Sequence, residues 1–246
     1  LGRVHDSGQA RQAIEYALAA GFDSVNVDLM HGLPGQTPAS AETDLRAALA
    51  YAPSHLSWYQ LTIEPNTVFH KRPPLLPLED VLADIQQAGE ELLAAAGYRQ
   101  YEVSAYSRPG KQCRHNLNYW TFGDYLGIGA GAHGKVTRAD GSILRYAKRR
   151  QPAEYLASPR GYFTASRQEV PRRDIIGEFM LNALRLNEGF SMDLFTARTG
   201  LDASAIAPQL QHLQARGLLV HDARGARTSP LGRRFLDSVT AEFFPD

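Results

Sequence analysis

The chain has 246 residues, room for one large domain or two modest ones, and its 43% hydrophobic and 21% charged residues are ordinary for a globular protein. Lys plus Arg and Asp plus Glu each number 26, so the formal net charge is zero and nothing in it draws the chain to nucleic acid or an anionic membrane. No run approaches the ~18 consecutive apolar residues of a spanning helix, no signal peptide is visible, and the single cysteine, Cys113, can neither form an internal disulfide nor supply the thiolates of an iron–sulfur cluster, so a reducing, cytoplasmic setting is expected.

In chain order, Ala10, Ala13, Ile14, Ala17 and Leu18 have helical spacing, and Gly21 suits a helix stop. Residues 23–29 (DSVNVDL) read as a short β-branched strand, followed by the turn-rich HGLPGQT. The first methionine, Met30, lies inside an apparent buried strand, and a start there would delete a helix and most of that strand, so the chain, which begins at Leu1, is expected to be part of a longer protein. A second helix is predicted over 38–51, with Thr37 as its cap and Pro38 at its first position. A second strand is predicted over 55–62 (HLSWYQLT). Helix, strand, helix, strand at this spacing is the pattern of a parallel α/β unit. The proline-bearing stretch 64–77 reads as loop, 78–96 as a long helix closed by Gly97, and 98–106 as one strand. Residues 113–122 (CRHNLNYWTF) suit a short helix, 125–135 form a glycine-rich run, and 143–147 and 162–170 suit short strands. After Pro171, three helices (172–187, 191–198, 202–215), two short strands (218–221, 226–228) and a helix over 230–243 outline a winged helix.

Several residues could carry chemistry. Asp28 stands at the end of its predicted strand, where parallel barrels gather their active-site groups; it could equally open a loop and bond backbone amides. The glycines of the 32–37 loop permit close approach of backbone to a ligand. Arg3 could hold a carboxylate by two parallel hydrogen bonds or be a solvated charge. Helical spacing places His115 and Tyr119 one turn apart, and Asn116 and Trp120 likewise. His115 beside aromatic rings could be an axial haem ligand or a packed histidine satisfied by backbone; Cys113 could be a second soft ligand or a small buried residue. Gly127, Gly129 and Gly131 before His133 lack the dinucleotide-loop spacing and read as tight packing. From 170 to 246 there are nine Arg, no Lys and nine Asp plus Glu, without the basic excess of a DNA-binding module.

Joined together, LGRVH (1–5), NVDLMHGLPGQT (26–37), LSWYQLTIEPNT (56–67), YEVSAY (101–106), the 113–120 segment and YLGIGAGAH (125–133) resemble the coproporphyrinogen III oxidase-like radical S-adenosylmethionine (SAM) family. The likeness runs over essentially the whole chain. It implies an α/β fold: part of a (βα)6 barrel, with at most two of its strands present, followed by an α+β extension ending in a winged-helix-like unit. The implied domains are 1–110 (barrel part), 111–170 (linking segment) and 171–246 (winged-helix-like). In the family, SAM sits on a [4Fe–4S] cluster held by a CxxxCxxC loop that this chain does not contain. The resemblance assigns Arg3 to the SAM carboxylate, Asp28 to its ribose hydroxyls and Thr62 to the neighbourhood of its adenine. Residues 115–120 match the HNxxYW motif of the family's haem-chaperone branch, whose histidine is implicated in haem binding. This points to His115 as contact to the haem iron, with Tyr119 and Trp120 beside it. The implied function is haem binding and delivery to an acceptor protein, which could bring the protein to a membrane surface. No catalytic residue is assigned. The alternatives are an oxygen-independent coproporphyrinogen III oxidase and a winged-helix nucleic-acid binder.

Overall fold

A computed structural model describes residues 5–159 and 161–245. The chain divides into two compact units, one ending at Cys113 and the other beginning at Arg114.

In the first unit, α1 (Ser7–Ala19) starts at Asp6, whose carboxylate accepts from the Gln9 amide at 2.8 Å while the Gln9 side chain accepts from the Asp6 amide at 3.1 Å. Strand β1 (Asn26–His31) leads to α2 (Pro38–Leu49), capped by Thr37 with Pro38 in its first turn, as predicted. Strand β2 (His55–Gln60) runs parallel to β1 in a register that pairs Asn26 with His55, Asp28 with Ser57 and Met30 with Tyr59. The predicted loop over 64–77 contains one turn of helix, α3 (Val68–Lys71), begun by Thr67, whose hydroxyl accepts from the His70 amide. Helix α4 (Glu79–Ala95) follows.

The strand predicted over 98–106 is instead a hairpin, β3 (Arg99–Glu102) and β4 (Ala105–Ser107). The Glu102 carboxylate bends the chain back by accepting from both the amide and the hydroxyl of Ser104 at 3.2 Å. The open sheet has the order β1-β2-β4-β3, with β4 antiparallel to β2. Side chains alternate across it. Val27, Leu56 and Trp58 join Leu45 of α2 and Ile85 and Leu93 of α4 in the buried core. Asn26, Asp28, His55 and Ser57 lie on the opposite face, which carries the polar groups.

In the second unit, α5 (Arg114–Trp120) precedes β5 (His133–Thr137), β6 (Ile143–Lys148), α6 (Pro152–Ala157) and β7 (Thr164–Glu169). The three strands form an antiparallel sheet in the order β5-β6-β7. Strand β5 arises from what read as a glycine-rich run. Gly134 pairs with Tyr146 across the ladder, and a Cβ at 134 would lie 2.1 Å from the tyrosine ring, so the missing side chain is the space the ring fills. A 3₁₀ turn then enters α7 (Ile175–Ala183), followed by α8 (Met192–Thr199), α9 (Ala207–Ala215), the hairpin β8 (Leu219–Asp222) and β9 (Gly225–Thr228), α10 (Pro230–Arg234) and α11 (Leu236–Ala241). The last predicted helix is thus broken at Phe235, which leaves helical geometry at φ −118°, ψ 34°. Phe179 anchors the core, edge-on to Phe190 at 4.9 Å and Phe195 at 5.3 Å, with Phe122 and Ile143 in the same cluster. Among the described residues, no helix is long and apolar enough to cross a membrane.

Candidate functional site

Asp28 sits in the middle of β1, not at its end: the strand continues to His31, and the ladder reaches Leu61, whose amide donates to the His31 carbonyl at 2.8 Å. The composition changes after Leu29, but the strand does not end there. Asp28 is nonetheless exposed and faces away from the helices. Its Oδ1 accepts from Asn26 Nδ2 at 2.7 Å. Asn26 Oδ1 in turn faces Nδ1 of His55 at 2.6 Å and the Ser57 hydroxyl at 3.3 Å, and His55 Nε2 faces the Tyr101 hydroxyl at 2.8 Å.

The chemistry of these groups allows one direction for the chain of protons. Asn26 spends an amide hydrogen on the carboxylate, so its oxygen must accept, and His55 must carry its hydrogen on Nδ1. His55 Nε2 is then an acceptor, and the Tyr101 hydroxyl donates to it. Burial pushes the His55 pKa down, against the opposing pull of the Asp28 charge, which keeps the ring neutral as this tautomer requires. The network fixes one oxygen of Asp28 and leaves the other for a hydroxyl donor. Tyr101→Phe removes the donor to a buried Nε2. It is expected to lower stability by about 1–2 kcal/mol in urea titration, and an unchanged midpoint would contradict this tautomer. Asn26, His55 and Tyr101 escaped sequence reading because strand register and a hairpin bring them together across 29 and 46 positions.

Thr62 lies just past β2, exposed, donating to the Glu64 carboxylate at 3.0 Å and taking no part in the Asp28 network. Arg3 falls outside the described residues. The 32–37 loop is held by its own bonds: Gln36 donates its amide to the Leu33 carbonyl, accepts from the Leu33 amide, and reaches Asp44. At Gly32 a Cβ would meet Leu82 at 2.9 Å, so the close approach there is to the protein's own α4.

In the second unit, α5 places His115 and Tyr119 on one face as its period requires, ring centroids 4.7 Å apart and edge to face. Tyr119 leans on Tyr125 at 4.3 Å. His115 is exposed, and neither ring nitrogen has a hydrogen-bond partner among the described residues, unlike a packed histidine satisfied by backbone. Trp120 carries the Arg185 guanidinium 4.3 Å above its ring, and its buried Nε1 has no hydrogen-bond partner among the described residues.

Beside the Tyr119–Tyr125 stack is a cleft of about 320 Å³, lined also by Lys135, Arg145, Glu178 and Leu181. Lys135, 2% exposed, donates to the Phe122 carbonyl and to Asp124, both at 3.0 Å, and lies over the Phe122 ring at 4.0 Å. Burial pushes its pKa down, opposed by Asp124. Arg145 is bonded to Glu178. Among the described residues no group of three or more His, Cys, Asp or Glu could hold a metal ion, and Cys113 is a free, half-buried thiol in the first unit.

The HemN C-terminal domain family matches residues 170–235. The chain is 49% identical over its full length to the protein named heme chaperone HemW from Escherichia coli and 46% identical to that from Haemophilus influenzae, spanning 64% and 63% of their lengths. Its fold matches the solved structure of Escherichia coli HemN, described as a coproporphyrinogen III oxidase and radical SAM enzyme, with a TM-score of 0.75 at 22% identity, over 98% of this chain and 59% of that one. The residues on which the family resemblance rests are thus accompanied by sequence similarity along the whole chain to proteins named heme chaperone HemW, of whose length the chain spans less than two thirds, and by a fold shared with HemN.

Proposed function

We propose that the protein of which this chain forms a part binds haem through His115 and passes it to an acceptor protein. The observation that carries this reading is the state of His115: exposed, on a helix, its nitrogens without a partner among the described residues and its ring steadied by the edge of Tyr119. An imidazole nitrogen with no competing hydrogen bond is a good iron ligand. Tyr119 gives the macrocycle a flat apolar neighbour, and Trp120, fixed under Arg185, stiffens the turn that aims the ligand.

Haem titration of the protein should give a Soret band that shifts on ligation, and His115→Ala should abolish that shift and weaken binding at least ~10-fold, the usual scale of losing a metal contact or its support. A His115→Ala protein with unchanged spectrum and affinity removes His115 as the ligand. Anaerobic conversion of coproporphyrinogen III to protoporphyrinogen IX would replace delivery by the oxidase reading.

On the first unit, Asp28 would accept from the ribose hydroxyls of SAM, with Thr62 near the adenine and Arg3 at the carboxylate. The fixed, exposed Asp28 oxygen fits a diol. The donor set does not fit a [4Fe–4S] cluster, which needs several thiolates where this chain has one cysteine, so the 246-residue chain alone is expected to bind neither cluster nor SAM tightly. We place the protein in the cytoplasm, with any membrane contact made through the acceptor. The winged-helix unit gains nothing as a nucleic-acid binder from its wing, where Arg224 and Arg227 both pair with Asp222.

A further inference from the structure

The cleft beside Tyr119 and Tyr125 carries an arrangement of charge that the haem reading of His115 does not use. Lys135 on β5 and Arg145 on β6 are directly paired across the ladder, two cations facing one another where like charges repel. Each has a carboxylate, but the two carboxylates are held differently. Asp124, the partner of Lys135, also accepts from the amide and hydroxyl of Thr137 at 2.8 and 2.9 Å. Glu178, the partner of Arg145, has no other side-chain bond among the described residues. Arg145 bonds Glu178 through Nη2, and its buried Nε has no hydrogen-bond partner among the described residues. The cleft therefore holds one fixed ion pair and one pair that can open, with guanidinium donors to spare. Its walls add the stacked tyrosines and Leu181, a leucine half exposed to solvent.

We infer that this cleft is the seat of a porphyrin carboxylate, with Arg145 as its receptor and Glu178 as the internal carboxylate that occupies the receptor when no ligand is bound. The chemistry matches in each part. A porphyrin is a flat apolar ring with carboxylates on one edge. Its face suits Tyr119, Tyr125 and Leu181, and its anionic edge suits a crowded, under-bonded arginine able to grip a carboxylate through two parallel bonds. The path from His115 to the cleft runs through two ring contacts of 4.7 and 4.3 Å, both within the second unit. The inference rests on haem as the ligand but not on His115 as its axial contact.

The test is a titration of the full chain and its variants with three probes: haem, haem dimethyl ester, whose carboxylates are capped, and iron-free protoporphyrin IX, which His115 cannot ligate. Arg145→Gln should weaken haem and protoporphyrin IX about tenfold or more, the usual size of a lost charge-assisted bond, and leave the ester unchanged. Glu178→Gln should tighten the two acids and leave the ester unchanged, because it removes the competing carboxylate. A purely structural ion pair would instead make both variants bind all three probes worse, and that result overturns the inference, as does Arg145→Gln with unaltered affinity for haem. If His115→Ala leaves haem binding intact while the Arg145 and Glu178 effects appear, the axial assignment falls and the carboxylate seat stands. A wild-type chain that binds none of the three overturns both.

Discussion

Gly89→Ala is expected to destabilise the protein by about 1–3 kcal/mol, the usual cost of overpacking a core. The sign runs against helix propensity. Gly89 lies inside α4, where alanine is ordinarily about 1 kcal/mol better than glycine. Here the missing Cβ is the point of contact: built at this position it would lie 1.9 Å from the indole ring of Trp58. The ring is enclosed. It is 2% exposed, with His31 at 4.2 Å on one side and Tyr106 edge-on at 6.3 Å on the other. Either α4 lifts from the sheet or β2 shifts, and β2 carries His55 and Ser57 of the Asp28 network on its other face. Urea denaturation of wild type and variant gives the answer, and a higher midpoint for alanine would mean that the helix, not the ring, sets the balance.

A second large effect is expected from acid. His31 is buried against Trp58 with Nδ1 lacking a hydrogen-bond partner among the described residues, and burial pushes its pKa down from 6.5 to about 4. Between those values the unfolded chain binds a proton that the folded chain refuses. This contribution to stability is therefore complete above pH 6.5, falls as pH drops towards 4, and is gone below that. The loss from His31 is roughly 3 kcal/mol, and the lowered pKa of His55 adds to it in the same direction. His31→Leu should flatten the curve over this range while keeping an apolar contact on Trp58. The carboxylates act elsewhere on the scale: Asp222, held down to about 2 by its bonds from Arg227 and the Arg224 amide, releases its contribution only in stronger acid. Urea midpoints at pH 7, 5.5 and 4.5 separate the two. If the His31→Leu protein loses stability over this interval as steeply as wild type, the buried ring is not the source.

Local signals carried much of the architecture. Thr37 followed by Pro38 marked the start of α2, the apolar period marked α1 and α4, and the HNLNYW string marked α5 and the shared face of His115 and Tyr119. These features depend on residues within a turn or two of one another, which a one-dimensional reading can compare. The hairpin at 99–107 was hidden because its turn is made by a carboxylate, Glu102, and not by glycine or proline. Strand β5 was hidden because Gly134 looks like a breaker until the Tyr146 ring that covers it is in view.

Motif, period and capping are local in the chain, so the family resemblance, the order of helices and strands in the winged-helix-like unit up to the break at Phe235, and the candidate residues Asp28 and His115 were legible without the fold. That Asp28 is mid-strand and oriented by Asn26, His55 and Tyr101, and that Arg145 and Glu178 share a cleft with Tyr119, is visible only in the folded chain. The bonds of Asn26 to His55, His55 to Tyr101 and Arg145 to Glu178 join residues 29 to 46 positions apart, and they exist only once strand register and helix packing have brought the segments together.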